Sequence, residues 1–234
     1  MKPFKLIAAL GAGLALSACA TAPLENVSRN MPASVPLQQG DKADQALVAA
    51  PAVDPSPAVD PRSLNVVAVR VTVPQSLKVS EANGLLPRAD IVWHGDPPGE
   101  RHEQIKRIFE AGMEMGLKTL GDRQGDRPAE LDIQVTRFHA LTETARYTVG
   151  GIHAIQFYMQ FRDPESGAPL GPRKFVKADF QAFGGLVALF AETAGQTQKT
   201  RITEHLASVI HEELTSAKGF QAPRLGLIDA LNQG

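Results

Sequence analysis

The chain has very little cysteine, the residue that secreted proteins use for cross-linking. Its 234 residues include one, Cys19. A single cysteine forms no intramolecular disulfide, so a folded domain here must be stabilised by apolar burial. Neither charge dominates, since 24 lysines and arginines face 25 aspartates and glutamates. This balance lacks the basic excess that nucleic-acid binding requires, and we expect no nucleic-acid partner.

Long apolar runs are also scarce. The most apolar stretch, residues 6–16, is shorter than the roughly 20 residues that a membrane-spanning helix needs. It follows Lys2 and Lys5, and this order of a basic segment and a short apolar segment is typical of a secretory leader. The sequence therefore predicts a signal peptide over residues 1–18.

The leader ends in Leu16-Ser17-Ala18-Cys19, which resembles the lipobox of bacterial lipoproteins. The resemblance implies that the Cys19 thiol carries acyl chains such as palmitate and anchors the protein to a membrane. Ala20, rather than an aspartate, follows the cysteine. By the sorting rule of Gram-negative lipoproteins this implies the outer membrane, with the protein facing the periplasm. The alternative is an ordinary signal peptide that is cut at the small residues around Cys19.

Residues 19–62 have the composition of a disordered tether. They contain no aromatic residue, are rich in proline and alanine, and include a short duplication at residues 51–55 and 57–61. Such a segment buries too little apolar area to offset the entropy of ordering. A proline-rich recognition segment is the alternative.

Apolar periodicity predicts the folded part, residues 63–218. We expect strands over residues 67–73, 131–140, 155–161 and 174–180, a short strand at 90–93, and helices over 100–120 and 197–217. Gly112 and Gly116 would let the first helix approach the strands closely. The second strand is predicted to continue through Tyr147 to a hairpin turn at Gly150-Gly151. The fold class is therefore α+β, with an antiparallel sheet of about four strands and two amphipathic helices on one face.

One strand changes its phase. Its apolar residues occupy odd positions up to Val135, but Phe138 and Ala140 occupy even positions. An extra residue in a strand produces such a change of face, so we predict a β-bulge near Arg137. Residues 219–234 are expected to form a loosely attached tail.

Four segments resemble a family of uncharacterised bacterial lipoproteins, a domain of unknown function: residues 71–83, 90–97, 135–142 and 196–199. They are spread over nearly the whole domain, but the family implies no activity. More loosely, a lipid anchor with a sheet and two helices is similar to small outer-membrane assembly lipoproteins that serve larger machines. That similarity implies an envelope protein as partner, although fold alone does not establish function.

Motifs of catalysis are missing, including G-x-S-x-G, the P-loop and H-E-x-x-H. We therefore expect no catalytic residue, no metal and no cofactor. The loop with Asp90, His94, Asp96 and His102 could supply metal ligands or an acid–base pair, but its spacing matches no zinc pattern and a solvated loop explains it better. A hydrolase that uses this loop is accordingly a minor alternative.

Other segments suggest binding. Arg137 and His139, with Arg146 and Tyr147, lie on one predicted hairpin and could bind an anion, although exposed strand residues explain them equally well. Trp93 is either a partner contact or a core residue at the sheet edge. The apolar run 186–191, with Leu186, Leu189 and Phe190, either covers the core or forms an exposed patch for a partner or lipid.

These observations favour a non-enzymatic, lipid-anchored interaction or accessory module of the cell envelope, which serves biogenesis or transport. The alternative is a carrier of lipid or another small hydrophobic ligand, which would need a cavity between the sheet and the helices.

Overall fold

The structure, a computed structural model, describes residues 59–223 and residue 225. The predicted signal peptide, Cys19 and residues 20–58 of the predicted tether lie outside the described residues. Within the described part, no helix has the length and apolar character needed to cross a membrane.

The described residues form six strands and four α-helices. The strands are β1 (Leu64–Thr72), β2 (Ile91–Val92), β3 (Arg127–His139), β4 (Gly151–Arg162), β5 (Lys174–Lys177) and β6 (Phe180–Ala182). The helices are α1 (Arg101–Leu120), α2 (Glu143–Tyr147), α3 (Gly185–Thr193) and α4 (Gln198–Thr215). This composition confirms the α+β class and both long helices, but four strands and two helices were too few.

The sheet has the order β1-β3-β4-β5, with β2 beside β3 and β6 beside β4. The pairs β3–β4, β4–β5 and β4–β6 are antiparallel, whereas β1 and β2 run parallel to β3. The prediction of a wholly antiparallel sheet is therefore wrong. Helix α1 lies in the chain between β1 and β2 on one side and β3 on the other, and a crossover of this length lets paired strands run in the same direction.

The core lies between one face of the sheet and helices α1 and α4. Phe109 of α1 packs edge-on against Phe157 of β4, with ring centroids 5.3 Å apart. A methyl group at Gly112 or Gly116 would collide with α4, at Leu206 and Ile210 respectively. The two glycines therefore allow close approach of the two helices, and not of α1 to the strands as the sequence suggested.

The predicted bulge is confirmed. The pairing of β3 with β4 shifts by one residue between Val135 and Arg137, so Thr136 is the extra residue. Val135 and Phe138 are both fully buried in the core. Side chains alternate along a strand, so Arg137 and His139 lie on the opposite face, which we call the open face. A similar shift in β1 lies between Val66 and Ala68 and leaves Val67 exposed. The alternation in the sequence had placed Val67 on the same inward face as Val69, Val71 and Val73.

Two predicted strand boundaries are wrong. The chain does not continue as a strand to the Gly150-Gly151 turn, because Thr142 accepts a hydrogen bond from the Ala145 amide and caps the short helix α2. The strand predicted over residues 174–180 is split into β5 and β6. At the break, the buried Asp179 carboxylate accepts a hydrogen bond of 2.9 Å from the Ile155 amide, in place of a backbone carbonyl.

The packed domain extends further at both ends than the sequence suggested. Val59 belongs to the predicted tether, but its amide donates to the Leu170 carbonyl, and a 3₁₀ turn over Pro61–Ser63 crosses the predicted boundary. Phe220 was assigned to the loose tail, but its side chain is buried in the core. Its amide donates to the buried Glu213 carboxylate at 2.8 Å, so the tail prediction is wrong at this residue.

Candidate functional site

Helix α3 exposes its large apolar residues. Leu186 and Phe190 are 71% and 68% exposed, and Val187 and Leu189 also face solvent, whereas Ala188 is buried. The small side chain therefore packs inward, which is the reverse of an ordinary amphipathic helix. We call these four exposed residues the α3 surface. The interpretation of this run as a cover of the core is wrong, and its role as a partner contact stays a prediction.

The start and the end of α3 are both fixed to the domain. Gly184 lies so close to the Gly150 backbone that a Cβ atom would collide with it, and Gly185 has a positive φ of 56°. Toward the end of the helix, Glu192 pairs with the buried Arg146 of α2 at 2.6 Å. The apolar side chains are therefore presented on an anchored helix.

Trp93 is not available for a partner, because its side chain is fully buried. Its indole Nε1 donates to Asp96, and its ring packs edge-on against Phe138 with centroids 5.6 Å apart. The prediction of a partner contact at Trp93 is therefore wrong, and the alternative of a core residue is correct.

Three of the four residues of the proposed metal or acid–base loop make local structural contacts, whereas the buried Nε2 of His94 has no hydrogen-bond partner among the described residues. Asp90 accepts from the Lys78 amide, and Asp96 pairs with Lys199 at 2.8 Å. The two ring nitrogens of His102 lie 3.1 Å from the Glu100 carboxylate and 3.2 Å from the Leu77 carbonyl oxygen. No group of three or more His, Cys, Asp and Glu side chains in the described part of the chain could hold a metal ion.

A cavity of about 590 Å³ lies on the open face of the sheet. We call it the open-face cavity. Its polar and charged wall comes from three neighbouring strands and the residues after β5, and includes Arg137, His139, Gln156, Lys177 and Asp179. The carrier alternative required a cavity between the sheet and the helices, but this cavity is on the other side of the sheet.

Arg137 is the central charge of the cavity. Its Nη2 lies 3.1 Å from Nδ1 of His139. Burial, together with the adjacent positive charge of Arg137, lowers the pKa of His139 to about 4. The ring is therefore neutral at pH 7, and because a guanidinium only donates, Nδ1 accepts this hydrogen bond. The Arg137 Nε is buried and has no hydrogen-bond partner among the described residues.

The one carboxylate of the cavity wall is partly engaged elsewhere. Asp179 accepts from the Ile155 amide and from Gln156, and one of its oxygens lies 3.7 Å from Nζ of Lys177. Burial raises the pKa of Asp179. Arg137 and Lys177 place two cationic side chains on the wall, and the neutral His139 adds no charge.

Apolar side chains also line the cavity. Leu85 and Leu86 of the loop before β2 and Phe175 of β5 line it, and all three are exposed to solvent, Leu86 by 82%. The loop is attached to the start of α2, because Thr142 donates to the Gly84 carbonyl and the Thr144 amide donates to Asn83. The leucines are thus held beside the cavity.

The sequence found two of these five polar wall residues. Arg137 and His139 lie together as the anion hypothesis required, but Arg146 pairs with Glu192 on α3 and Tyr147 is exposed on α2. Lys177 was not recognised. The alternation around Val176 was a usable signal for it, because neighbours of a buried strand residue face the other side. Nothing local in the sequence indicated that Leu85 and Leu86 would reach the same face.

Comparison with known proteins gives a family without an assigned activity. A crystal structure of a protein from Caulobacter crescentus, described only as a candidate lipoprotein, aligns with 14% identity and a TM-score of 0.31, covering 68% of this chain and 90% of that chain. This similarity is too low to support an argument about function. No curated protein matches the chain. A family model does match residues 64–230, which is most of the sequence, and the chain therefore belongs to DUF6778, a family of unknown function.

Proposed function

We propose that this protein is a lipid-anchored, non-enzymatic accessory module of the cell envelope that binds a protein partner through the α3 surface. The observation that carries the proposal is the outward orientation of the large apolar residues of α3. Four of its nine residues are large, apolar and exposed. Contiguous exposed apolar area of this kind marks interaction sites in soluble domains.

The surroundings of the α3 surface favour a protein partner over a bilayer. Arg146 beside it is neutralised by Glu192 at 2.6 Å. The Arg201 guanidinium lies 3.6 Å from the ring centroid of Phe183, just before α3. Aromatic residues and arginines are enriched in protein interfaces, whereas a helix that lies on a membrane carries a strongly basic polar face.

The anchor in this proposal is the Cys19 thiol, whose acyl chains would hold the protein at the periplasmic leaflet of the outer membrane. A flexible chain of the length of residues 19–58 has an r.m.s. span of roughly 32 to 38 Å. The domain could therefore reach a partner that stands beside the membrane surface. This arrangement would serve envelope biogenesis or transport, where partners are held near the membrane.

Site-specific photo-crosslinking in the native cells tests the docking surface. A benzoylphenylalanine at Leu186 or Phe190 should give the same protein adduct of one defined mass. The same probe at the exposed Met115 of α1, on another element, should give none. The adduct partner, once purified, should bind the wild-type chain directly.

Charged substitutions then decide whether the α3 surface carries the binding. Leu186→Glu combined with Phe190→Glu should weaken binding of the purified partner at least tenfold, because two carboxylates would be buried in an apolar interface. The matched control Met115→Glu should keep wild-type affinity. Adducts only with lipid or with a second copy of this chain, or equal loss in the control, would contradict the proposal.

A further inference from the structure

We propose that the open-face cavity is a ligand site for an amphiphile with one anionic group, which binds Arg137 while its hydrocarbon chain lies along Leu86 and Phe175. The site uses no residue of the α3 surface, so it stands independently of the docking role.

The dimensions of the cavity suit a small molecule. Its volume of about 590 Å³ falls within the range of roughly 300 to 1,000 Å³ that is typical of ligand pockets. Such pockets combine a mainly apolar wall with a few converging polar groups. Here the polar groups come from β3, β4 and β5, which are paired in one sheet, so their positions are fixed before a ligand arrives.

Arg137 is prepared for an anion. The neutral His139 accepts a hydrogen bond from its Nη2, which orients the guanidinium, while the buried Nε has no acceptor among the described residues. A guanidinium presents its N–H groups as a planar fork that matches a carboxylate in a bidentate manner. Asp179 does not fill this place, because it makes no hydrogen bond or ion pair with Arg137; its oxygens accept instead from the Ile155 amide and from Gln156.

The apolar wall completes the specificity. Leu86 and Phe175 belong to separate elements, are both exposed, and line the same cavity as Arg137. A purely ionic ligand would leave these side chains in water, and a neutral hydrophobic ligand would leave the Arg137 guanidinium without an anion. A molecule with an anionic head and a hydrocarbon chain satisfies both.

Binding of laurate below its critical micelle concentration tests this inference. The full chain with Cys19→Ser is used, so that no attached acyl chain competes with the probe. Isothermal titration calorimetry should show one laurate per chain. Dodecanol, which has the same chain without the charge, and acetate, which has the charge without the chain, should each bind at least tenfold more weakly.

Variants assign the two halves of the ligand. Arg137→Gln should weaken laurate binding at least tenfold and leave the weak dodecanol binding unchanged. Leu86→Ser, at a side chain that contributes little to folding because it is 82% exposed, should also weaken laurate binding. The control Arg70→Gln removes an exposed arginine that is not part of the cavity wall and should have no effect.

Several results would overturn the inference: absence of laurate binding, equal affinity for laurate and dodecanol, or wild-type laurate affinity in Arg137→Gln. If Arg137→Gln does not fold, as judged by circular dichroism, Leu86→Ser decides alone. Wild-type laurate affinity in that variant would then refute the site.

Discussion

Replacement of His153 should change how the stability of the domain depends on pH. His153 lies on β4, is fully buried, and packs beside Phe180 with ring centroids 4.9 Å apart. Its Nδ1 has no hydrogen-bond partner among the described residues. Burial, with the nearby positive charges of Arg201, His205 and Arg146, lowers the pKa of His153 from 6.5 to about 3.

The direction of the pH effect depends on whether the folded or the unfolded state binds the proton. Between pH 6.5 and about 3 the unfolded chain has a protonated His153 and the folded domain does not. Acid therefore favours unfolding: the contribution to stability is fully present above pH 6.5 and is lost as the pH falls below it. At about 1.4 kcal/mol per pH unit, lowering the pH from 7 to 5 should cost about 2 kcal/mol from this residue. Burial also lowers the pKa of His139 and His205, which adds loss in the same direction.

Urea unfolding followed by circular dichroism at pH 7 and pH 5 measures the effect. The quantity compared is the loss of unfolding free energy between the two pH values, so a change in overall stability does not disturb the reading. Between pH 7 and pH 5, His153→Phe should lose about 2 kcal/mol less unfolding free energy than the wild type. Ile155→Val, a control at a buried residue of the same strand that carries no titratable group, should lose as much as the wild type. An unchanged pH dependence in His153→Phe would refute the reasoning.

Two further predictions concern helix packing and the anchor. Gly116→Ala should destabilise the domain by about 1 to 2 kcal/mol, because collision with Ala207 and Ile210 outweighs a gain of about 1 kcal/mol in helix propensity. Thermal unfolding measures this loss. The control Ala111→Gly, on the exposed side of α1, should also lower stability, because alanine is preferred over glycine in a helix where no collision occurs. Labelled palmitate should be incorporated into the wild-type protein but not into Cys19→Ser. On cell fractionation, the wild-type protein should be found with the membranes and Cys19→Ser in the soluble fraction. Equal labelling of the two proteins would contradict the proposed anchor.

The periodicity of apolar residues predicted the helices and strands that bury one face against the core. Helices α1 and α4 were found because their apolar residues recur every three or four positions against a single core. In the structure the side chains of Glu100 and Thr197 cap the first turns of these helices. The strands around Val135 and Phe157 were found for the corresponding reason, since alternate side chains enter the same core.

The elements that were missed depend on contacts distant in the sequence. Helix α3 has no outward polar stripe, so its apolar run resembles a core segment, and only its packing on Gly150 and Arg146 fixes it with the large residues outside. Similarly, Asp179 looked like an ordinary strand residue, because its pairing with the Ile155 amide is made across 24 positions of sequence. Local patterns do not contain such information.

The core and the open-face cavity depend on the same extra residue. If β3 alternated without a shift after Val135, Arg137 would point toward the helices and Phe138 toward the open face. Burial of Phe138 against Trp93, with ring centroids 5.6 Å apart, therefore requires Thr136 as an added residue. The same shift brings Arg137 and His139 to the open face beside Lys177. The placement of Arg137 in the cavity wall is thus coupled to the packing of the core, and a sequence that lost Thr136 would lose both together.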